Sequence, residues 1–219
     1  MVKEIRVYFE GGGDRSDDKK RLKEGLHGFL RKPIAVARQK RIHFNLIPCG
    51  TRRKAYESFL TALGTHPSAF NVLLVDSEGP VRVVNPNSSD HEEKYLAAWQ
   101  YLRGRPTDAW PLTADHKESC HLMVQTMEAW LLADVDGLQK FYGQGFAANS
   151  IPRTQNVEGI DKPSLERALK AATRATSKGE YHKIDHASKL LKEFILPKKV
   201  CDASSHCKYL FTILMEKMR

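Results

Sequence analysis

Residues 5–14 (IRVYFEGGGD) and residues 70–80 (FNVLLVDSEGP) decide the fold. Each begins as an apolar, β-branched run, which predicts a strand, and then reaches acidic residues and glycine, which predict a turn. Residues 42–47 (IHFNLI) predict a further strand. After the first two strands, apolar residues recur at helical spacing: Leu22, Leu26, Phe29 and Leu30, then Tyr56, Phe59, Leu60 and Leu63. This alternation predicts a parallel sheet with right-handed crossovers.

The rest of the chain extends the sheet and then becomes helical. The nearly continuous apolar run 70–75 is typical of a strand covered on both faces, residues 121–125 predict a fourth strand, and Pro33 should limit the first helix. Further helices are predicted at 95–102, 127–132, 165–172, 187–195 and 209–214, with a loop at 85–90. We therefore expect an α/β fold, with a mainly parallel sheet and helices on both faces over residues 1–135, and a helical basic extension over 136–219 packed on it.

Composition narrows the class of protein. The 219 residues are 41% hydrophobic, which supports a core and excludes disorder of the whole chain. No stretch approaches 18 uninterrupted apolar residues, so no membrane partner is expected, and charges in the first apolar segment do not fit a signal peptide. Four cysteines then predict reduced thiols in a cytoplasmic protein. The net charge of +9 divides into +3 for residues 1–135 and +6 for 136–219, which favours a polyanionic partner such as nucleic acid.

Acidic residues follow the first and third predicted strands. Glu10 and Asp14 come after the first strand, and Asp76 and Glu78 after the third. Ligands of open α/β sheets bind beyond the carboxyl ends of the strands, so these acids are expected to face one another and to hold Mg²⁺ or Mn²⁺. Glu128, at the start of the helix after the fourth strand, is a further candidate ligand. The alternatives are helix caps, a turn aspartate and a first-turn glutamate favoured by the helix dipole.

Other polar residues are candidates for binding a phosphate-bearing substrate. The glycine run fits neither a P-loop nor a dinucleotide fingerprint, but it lets a substrate approach the backbone closely. Lys183 is the candidate catalytic cation at a phosphoryl centre. The candidate substrate-binding residues are Gly11, Gly12, Gly13, Arg52, Arg53, Lys178 and His182. For each charged residue, the alternative is a solvated surface charge.

The acidic motifs resemble those of a known domain. Glu10 with its glycine turn, and Asp76-Ser77-Glu78 after the third strand, resemble the Toprim domain of topoisomerases, primases, recombination proteins and the overcoming-lysogenization-defect nucleases. Residues 9–14 (FEGGGD) are similar to its nuclease branch. Over almost the whole chain, the blocks EGGGD, LLVDSE, HLMVQTMEAWLLAD, FYGQGF and KGEYHK resemble a bacterial family known as domain of unknown function 4276.

The resemblance implies a Toprim/Rossmann-like fold and a role for each acid. Glu10 matches the glutamate that acts as general acid or base and helps to hold metal. Asp76 and Glu78 match the two metal ligands of an Asp-x-Asp motif, with Glu78 longer by one methylene. Asp14 matches the second acid of the nuclease-type first motif. No topoisomerase tyrosine, zinc ribbon or primase module is visible, which favours hydrolysis.

These observations lead to one functional hypothesis and two alternatives. The hypothesis is Mg²⁺- or Mn²⁺-dependent phosphodiester hydrolysis of nucleic acid, with the basic extension binding the backbone. The resemblance further implies a separate ATPase partner in phage defence, because the chain has no ATPase motif of its own. The alternatives are a non-catalytic metal- or nucleotide-binding regulatory subunit and a phosphoryl-transfer enzyme acting on small nucleotides. A pocket closed by residues 79–118 would favour the last of these.

Overall fold

A four-stranded, all-parallel sheet forms the centre of the computed structural model, which describes residues 2–219. Its strands are β1 (Glu4–Glu10), β2 (His43–Gly50), β3 (Phe70–Asp76) and β4 (Cys120–Met123), in the order β2-β1-β3-β4. The α/β class and its parallel sheet are thereby confirmed, and each predicted strand overlaps an observed one. β1 lies directly beside β3, so the carboxyl ends of the two strands with acidic termini meet at one edge.

Eleven α-helices occur within residues 2–219. They are α1 (Ser16–Phe29), α2 (Arg31–Gln39), α3 (Arg52–Thr65), α4 (His91–Lys94), α5 (Ala98–Gly104), α6 (Glu128–Leu132), α7 (Val135–Tyr142), α8 (Lys162–Thr173), α9 (Asp185–Lys189), α10 (Pro197–Ala203) and α11 (Ser205–Lys217). A π-helical turn, Leu190–Phe194, follows α9 directly. None of these helices is long and apolar enough to cross a membrane.

Two helix predictions need correction. The first helix ends at Phe29, before Pro33, and Pro33 instead lies in the first turn of α2, where the backbone N–H has no helical acceptor in any case. The predicted helix 95–102 is replaced by α4 and α5, because Asp90 caps α4 by accepting the N–H groups of two following residues and Tyr95 bridges to Val83. The spacing of apolar residues alone does not predict where these helices end and begin.

Alternate residues of the strands enter two hydrophobic cores, one on each face of the sheet. On β3, Val72 and Leu74 face the larger core, whereas Leu73 and Val75 face the smaller core with Phe59 of α3. All four side chains are fully buried, which explains the continuous apolar run in the sequence. Helices cover both faces, as the sequence predicts.

The C-terminal helices pack against α1 without intervening side chains. A Cβ atom on Gly25 would lie 2.8 Å from the carbonyl oxygen of Ser188, and one on Gly28 would lie 2.5 Å from that of Lys192. The larger core contains Trp130 from the first part of the chain and Leu210 from the last. The structure therefore holds the C-terminal helices on the sheet, while the division of the chain at residue 135 stays a prediction.

Candidate metal and phosphate site

Three carboxylates converge at the carboxyl edge of the sheet. Glu10 ends β1, Asp76 ends β3, and Glu78 follows two residues later. One oxygen atom from each side chain lies within 4.8 Å of the other two. We call Glu10, Asp76 and Glu78 the carboxylate cluster. It arises because β1 and β3 are adjacent and parallel, so that residues far apart in sequence end at the same level.

Asp76 is the most buried member of the carboxylate cluster. Its Oδ1 atom accepts a hydrogen bond from the backbone N–H of Met127 at 2.8 Å, and its own N–H donates to Glu10 Oε2 at 3.2 Å. Burial raises the pKa of Asp76 to about 8, and although Lys183 opposes this rise, Glu10 and Glu128 add to it. Burial also raises the pKa of Glu10, against the opposing charge of Arg52. A cation bound beside Asp76 and Glu10 would therefore offset their charge and favour the ionised form of both carboxyl groups.

Lys183 lies over the cluster from the C-terminal part of the chain. Its Nζ atom is 3.2 Å from Glu128 Oε1 and 3.9 Å from Asp76 Oδ2. Burial lowers the pKa of Lys183, but the neighbouring Glu128 and Asp76 outweigh burial and raise it to about 12. The Tyr181 hydroxyl donates to Glu128 at 3.3 Å. Lys183 is therefore a fixed cation, and Glu128 holds that cation instead of joining the three carboxylates.

The glycine turn forms one wall of the site. Gly11, Gly12 and Gly13 all have positive φ angles, between 56° and 122°, which side chains with a Cβ rarely adopt. A Cβ atom on Gly12 would lie 2.8 Å from the Cα atom of Lys19 in α1. The turn thus needs glycine both for its conformation and for its close packing on α1, and it leaves backbone facing the cavity.

The structure does not bring every predicted site residue to the cluster. Asp14 is 73% exposed and pairs with Lys54 at 2.6 Å, so it lies outside the three converging carboxylates. Arg53 pairs with Glu57 on the exposed surface of α3. No local pattern separates Asp14 from Glu10, because both acids follow the same predicted strand.

Three other predicted substrate-binding residues have different surroundings. Arg52 lies at the sheet edge beside the cluster, 3.6 Å from Glu10 Oε2. It also contacts the carboxylate of Asp108 at 2.8 Å and the carbonyl of Asp76, and it therefore supports the strand end. Lys178 lies 5.4 Å above the ring of Phe141 in a neighbouring groove. His182 lines the cavity at the cluster, with its ring 3.0 Å from Asp185.

Sequence reasoning missed three residues of the site. Lys162, at the start of α8, pairs with Glu78 at 2.6 Å although 84 residues separate them. Lys170, from the same helix, lines the cavity. Thr126 is buried beside the cluster, and its hydroxyl has no partner among residues 2–219. No local pattern in the sequence marks these residues, because their role depends on where α8 packs.

The carboxylate cluster opens into a cavity of about 480 Å³. Three lysines line it, namely Lys162, Lys170 and Lys183, and apolar side chains such as Met127 and Ile184 complete it. Residues 79–118 are not among its walls, so the closed pocket that would have favoured a small nucleotide substrate is not formed by that segment. The site combines oxygen ligands for a hard cation with fixed positive charges for an anion.

Comparison with known proteins gives one match. A family model described as "Domain of unknown function (DUF4276)" matches residues 9–215, which contain the carboxylate cluster and the lysines of the cavity. No curated protein and no solved structure matches the chain.

Proposed function

This chain belongs to the family described as a domain of unknown function (DUF4276), and we propose that it is a nuclease that hydrolyses phosphodiester bonds of nucleic acid with Mg²⁺ or Mn²⁺. The observation that carries the proposal is the convergence of Glu10, Asp76 and Glu78 within 4.8 Å at the mouth of a lysine-lined cavity. The Toprim resemblance of the same residues supports it.

The donor set fits a hard divalent cation. All three converging groups are carboxylates, and oxygen ligands are those that Mg²⁺ and Mn²⁺ prefer. Glu10, Asp76 and Glu78 would hold the ion, and the Lys162 ammonium beside Glu78 limits the net negative charge. When bound, the ion would polarise a phosphoryl oxygen and make water a better nucleophile.

The chain's own residues supply the remaining chemistry. Lys183 is positively charged throughout the neutral range, so it acts as an electrostatic partner of a phosphate oxygen and not as a base. The raised pKa of Glu10 brings its carboxyl group closer to the range in which it can accept and return a proton. The exposed backbone of the glycine turn allows a phosphate to approach between these side chains.

A second groove provides a path for a longer polyanion. This groove, which we call the lysine groove, has a volume of about 900 Å³ and shares Ser188 with the cavity at the carboxylate cluster. Its five cations are Arg21, Lys140, Lys178, Lys189 and Lys192. Arg21 and Lys192 pair with Asp185 and Glu24, whereas the other three form no ion pair with the residues that the structure describes. Unpaired lysines beside the site favour a nucleic-acid backbone over a small substrate.

The two alternative functions differ in the binding site and the turnover that they require. A phosphoryl-transfer enzyme for small nucleotides would use the 480 Å³ cavity, which is large enough for one nucleotide, and would not need the lysine groove. A regulatory subunit would bind metal without turnover. A separate ATPase partner is part of our proposal on the Toprim resemblance alone.

A cleavage assay separates these functions. The full chain is incubated with Mg²⁺, Mn²⁺ or chelator and with single- and double-stranded DNA and RNA or with mononucleotides, alone and with a candidate ATPase partner. The proposal expects divalent-dependent cleavage of a polynucleotide. Turnover of mononucleotides alone supports the phosphoryl-transfer alternative, and metal binding without turnover under every condition supports the regulatory one.

Metal affinity should rise with pH. Because the pKa of Asp76 is about 8 in the metal-free protein, its carboxyl group is protonated at pH 7, and an incoming cation must displace that proton. We expect the apparent affinity for Mn²⁺ to increase by up to about tenfold per pH unit between pH 6 and 8 and to level off above pH 8. Isothermal titration in buffers of different ionisation enthalpy should show release of close to one proton at pH 7. Affinity that is constant between pH 6 and 8 would contradict the assigned role of Asp76.

Removing the unpaired lysines should weaken nucleic-acid binding. We expect the triple variant Lys140→Gln, Lys178→Gln and Lys189→Gln to bind duplex DNA more weakly. The slope of the logarithm of affinity against the logarithm of salt concentration should become less steep by up to about 0.9 for each phosphate contact that is removed. The matched control replaces three exposed cations outside the groove, Lys32, Arg38 and Lys40, by Gln. Equal losses in both variants would mean that the lysine groove has no special role.

A further inference from the structure

Three histidines from distant parts of the sequence meet beside the edge strand β4. His91 begins α4, His121 lies in β4, and His206 lies in the first turn of α11. The ring centroids of His91 and His206 are 4.6 Å apart. All three side chains line a cavity of about 20 Å³, which we call the histidine cavity. That volume accommodates one water molecule or one ion.

Each of the three rings has a buried nitrogen atom without a hydrogen-bond partner. These atoms are His91 Nε2, His121 Nδ1 and His206 Nε2, within the part of the chain that the structure describes. His121 is 2% exposed and His206 is 4% exposed, so bulk water does not satisfy them. Unpaired buried polar atoms are rare and each costs about 1–3 kcal/mol. Three of them around one small cavity indicate a ligand.

The opposite nitrogen atoms of His121 and His206 are fixed as donors. His121 Nε2 donates to the carbonyl oxygen of Glu118 at 2.9 Å, and His206 Nδ1 donates to the carboxylate of Glu158 at 3.0 Å. Burial also lowers the pKa of His121 to about 4, so its ring is neutral and Nδ1 carries a lone pair. A backbone carbonyl and a carboxylate are the partners that orient metal-binding histidines in proteins.

The charge around the cavity also suits a cation. Burial raises the pKa of Glu158, but the hydrogen bonds and charge of His206 together with the bond from Ser204 outweigh burial and lower it, so the carboxylate is ionised. Glu92 also lines the cavity, where it contacts Lys117 and the Tyr209 hydroxyl. The lone pair on His121 Nδ1 and the negative charge of Glu158 and Glu92 beside the cavity therefore suit a cation.

We propose that His91, His121 and His206 bind one transition-metal ion of the class that prefers imidazole, with Zn²⁺ as the principal example. Their donor atoms do not all lie within 4.8 Å of one another, whereas those of the carboxylate cluster do. Binding therefore requires the rings to move closer, and His91 is placed to do so because it lies on a four-residue helix in the segment between β3 and β4. The ion would tie this segment to β4 and α11, and Glu92 offers a carboxylate for the fourth position.

Cobalt binding tests this proposal directly. The full chain carrying Glu10→Gln and Asp76→Asn, which removes the carboxylate cluster, is freed of metal by chelator and titrated with Co²⁺. We expect one equivalent to bind with the intense visible absorption of a four-coordinate site. His121→Gln or His206→Gln in the same background should lower the affinity at least about 100-fold, since loss of an orienting partner alone costs 10–100-fold. His27→Gln, at an exposed histidine of α1, should leave the affinity unchanged.

Several results would overturn the proposal. A cavity filled by water gives no stoichiometric Co²⁺ binding, and a His121→Gln variant that binds as well as its parent excludes these ligands. If the variants at the buried His121 and His206 do not fold, His91→Gln provides the test of the metal site, because His91 lies on a short helix near the surface. Zn²⁺ should raise the Tm of the parent and leave that of His91→Gln unchanged; an equal rise in both would contradict the site.

Discussion

Asp76→Asn should abolish divalent-dependent cleavage while the fold is retained. The asparagine keeps an oxygen atom to accept the N–H of Met127, but it lacks the charge that a divalent cation requires. We expect the rate of polynucleotide cleavage to fall by at least about 100-fold, because weaker disturbances of metal sites already cost 10–100-fold. The control is Asp202→Asn, at an exposed aspartate of α10 that pairs with Lys198 at 2.6 Å. Cleavage at half the parent rate or more in Asp76→Asn would show that the site is wrongly assigned.

The same variant should be more stable than its parent at alkaline pH when metal is absent. The pKa of Asp76 is raised from 3.8 to about 8 in the folded state. Protonation of Asp76 therefore contributes to the stability of the fold, and this contribution is fully present below pH 3.8 and is lost as the pH rises from 3.8 through 8. Asparagine avoids the loss. We expect a gain of at least about 1 kcal/mol at pH 8.5, or about 2–4 °C in Tm, and a much smaller difference at pH 4. Thermal unfolding in chelator provides the measurement, and a Tm below the parent value at pH 8.5 would contradict the burial of a strained carboxylate.

Gly28→Val should strongly destabilise the fold, because Gly28 of α1 packs directly against the backbone of Lys192. A Cβ atom at this position would lie 2.5 Å from the carbonyl oxygen and 2.6 Å from the Cα atom of Lys192, and backbone atoms cannot rotate away. The helix and the π turn must therefore separate. We expect a destabilisation of about 3 kcal/mol or more, or at least about 6 °C in Tm. Because Lys183 lies just before α9, which packs on the same face of α1, cleavage should fall as well.

Gly64→Val is the matched control for that experiment. Gly64 lies in α3, and a Cβ atom added there meets no atom within 4 Å. We expect its stability to change by less than about 0.5 kcal/mol. Denaturant unfolding of both variants separates the steric clash from the general effect of replacing a helical glycine. Similar stability in the two variants would mean that α1 and the C-terminal helices do not pack as closely as the structure indicates.

The sequence by itself determined the sheet and the position of its acidic edge. Strand periodicity and the turn residues after Glu10 and Asp76 are local signals, and the parallel alternation places both strand ends at the same edge. Helix boundaries were less predictable, because the cap at Asp90 and the placement of Pro33 depend on single residues and not on apolar spacing. The fold class was therefore accessible from local patterns joined by one topological rule.

Only the tertiary structure decided which side chains share the site and how they are charged. Lys162 reaches Glu78 across 84 residues, and Arg52 is held by Asp108, because of how the helices pack and not because of any spacing in the sequence. The raised pKa of Asp76 likewise requires its burial among other acids. The histidine cavity joins three segments in the same way. Hydrophobic periodicity fixes which face of an element is buried, but contacts between distant elements depend on their packing, and burial then sets the energy of each charge.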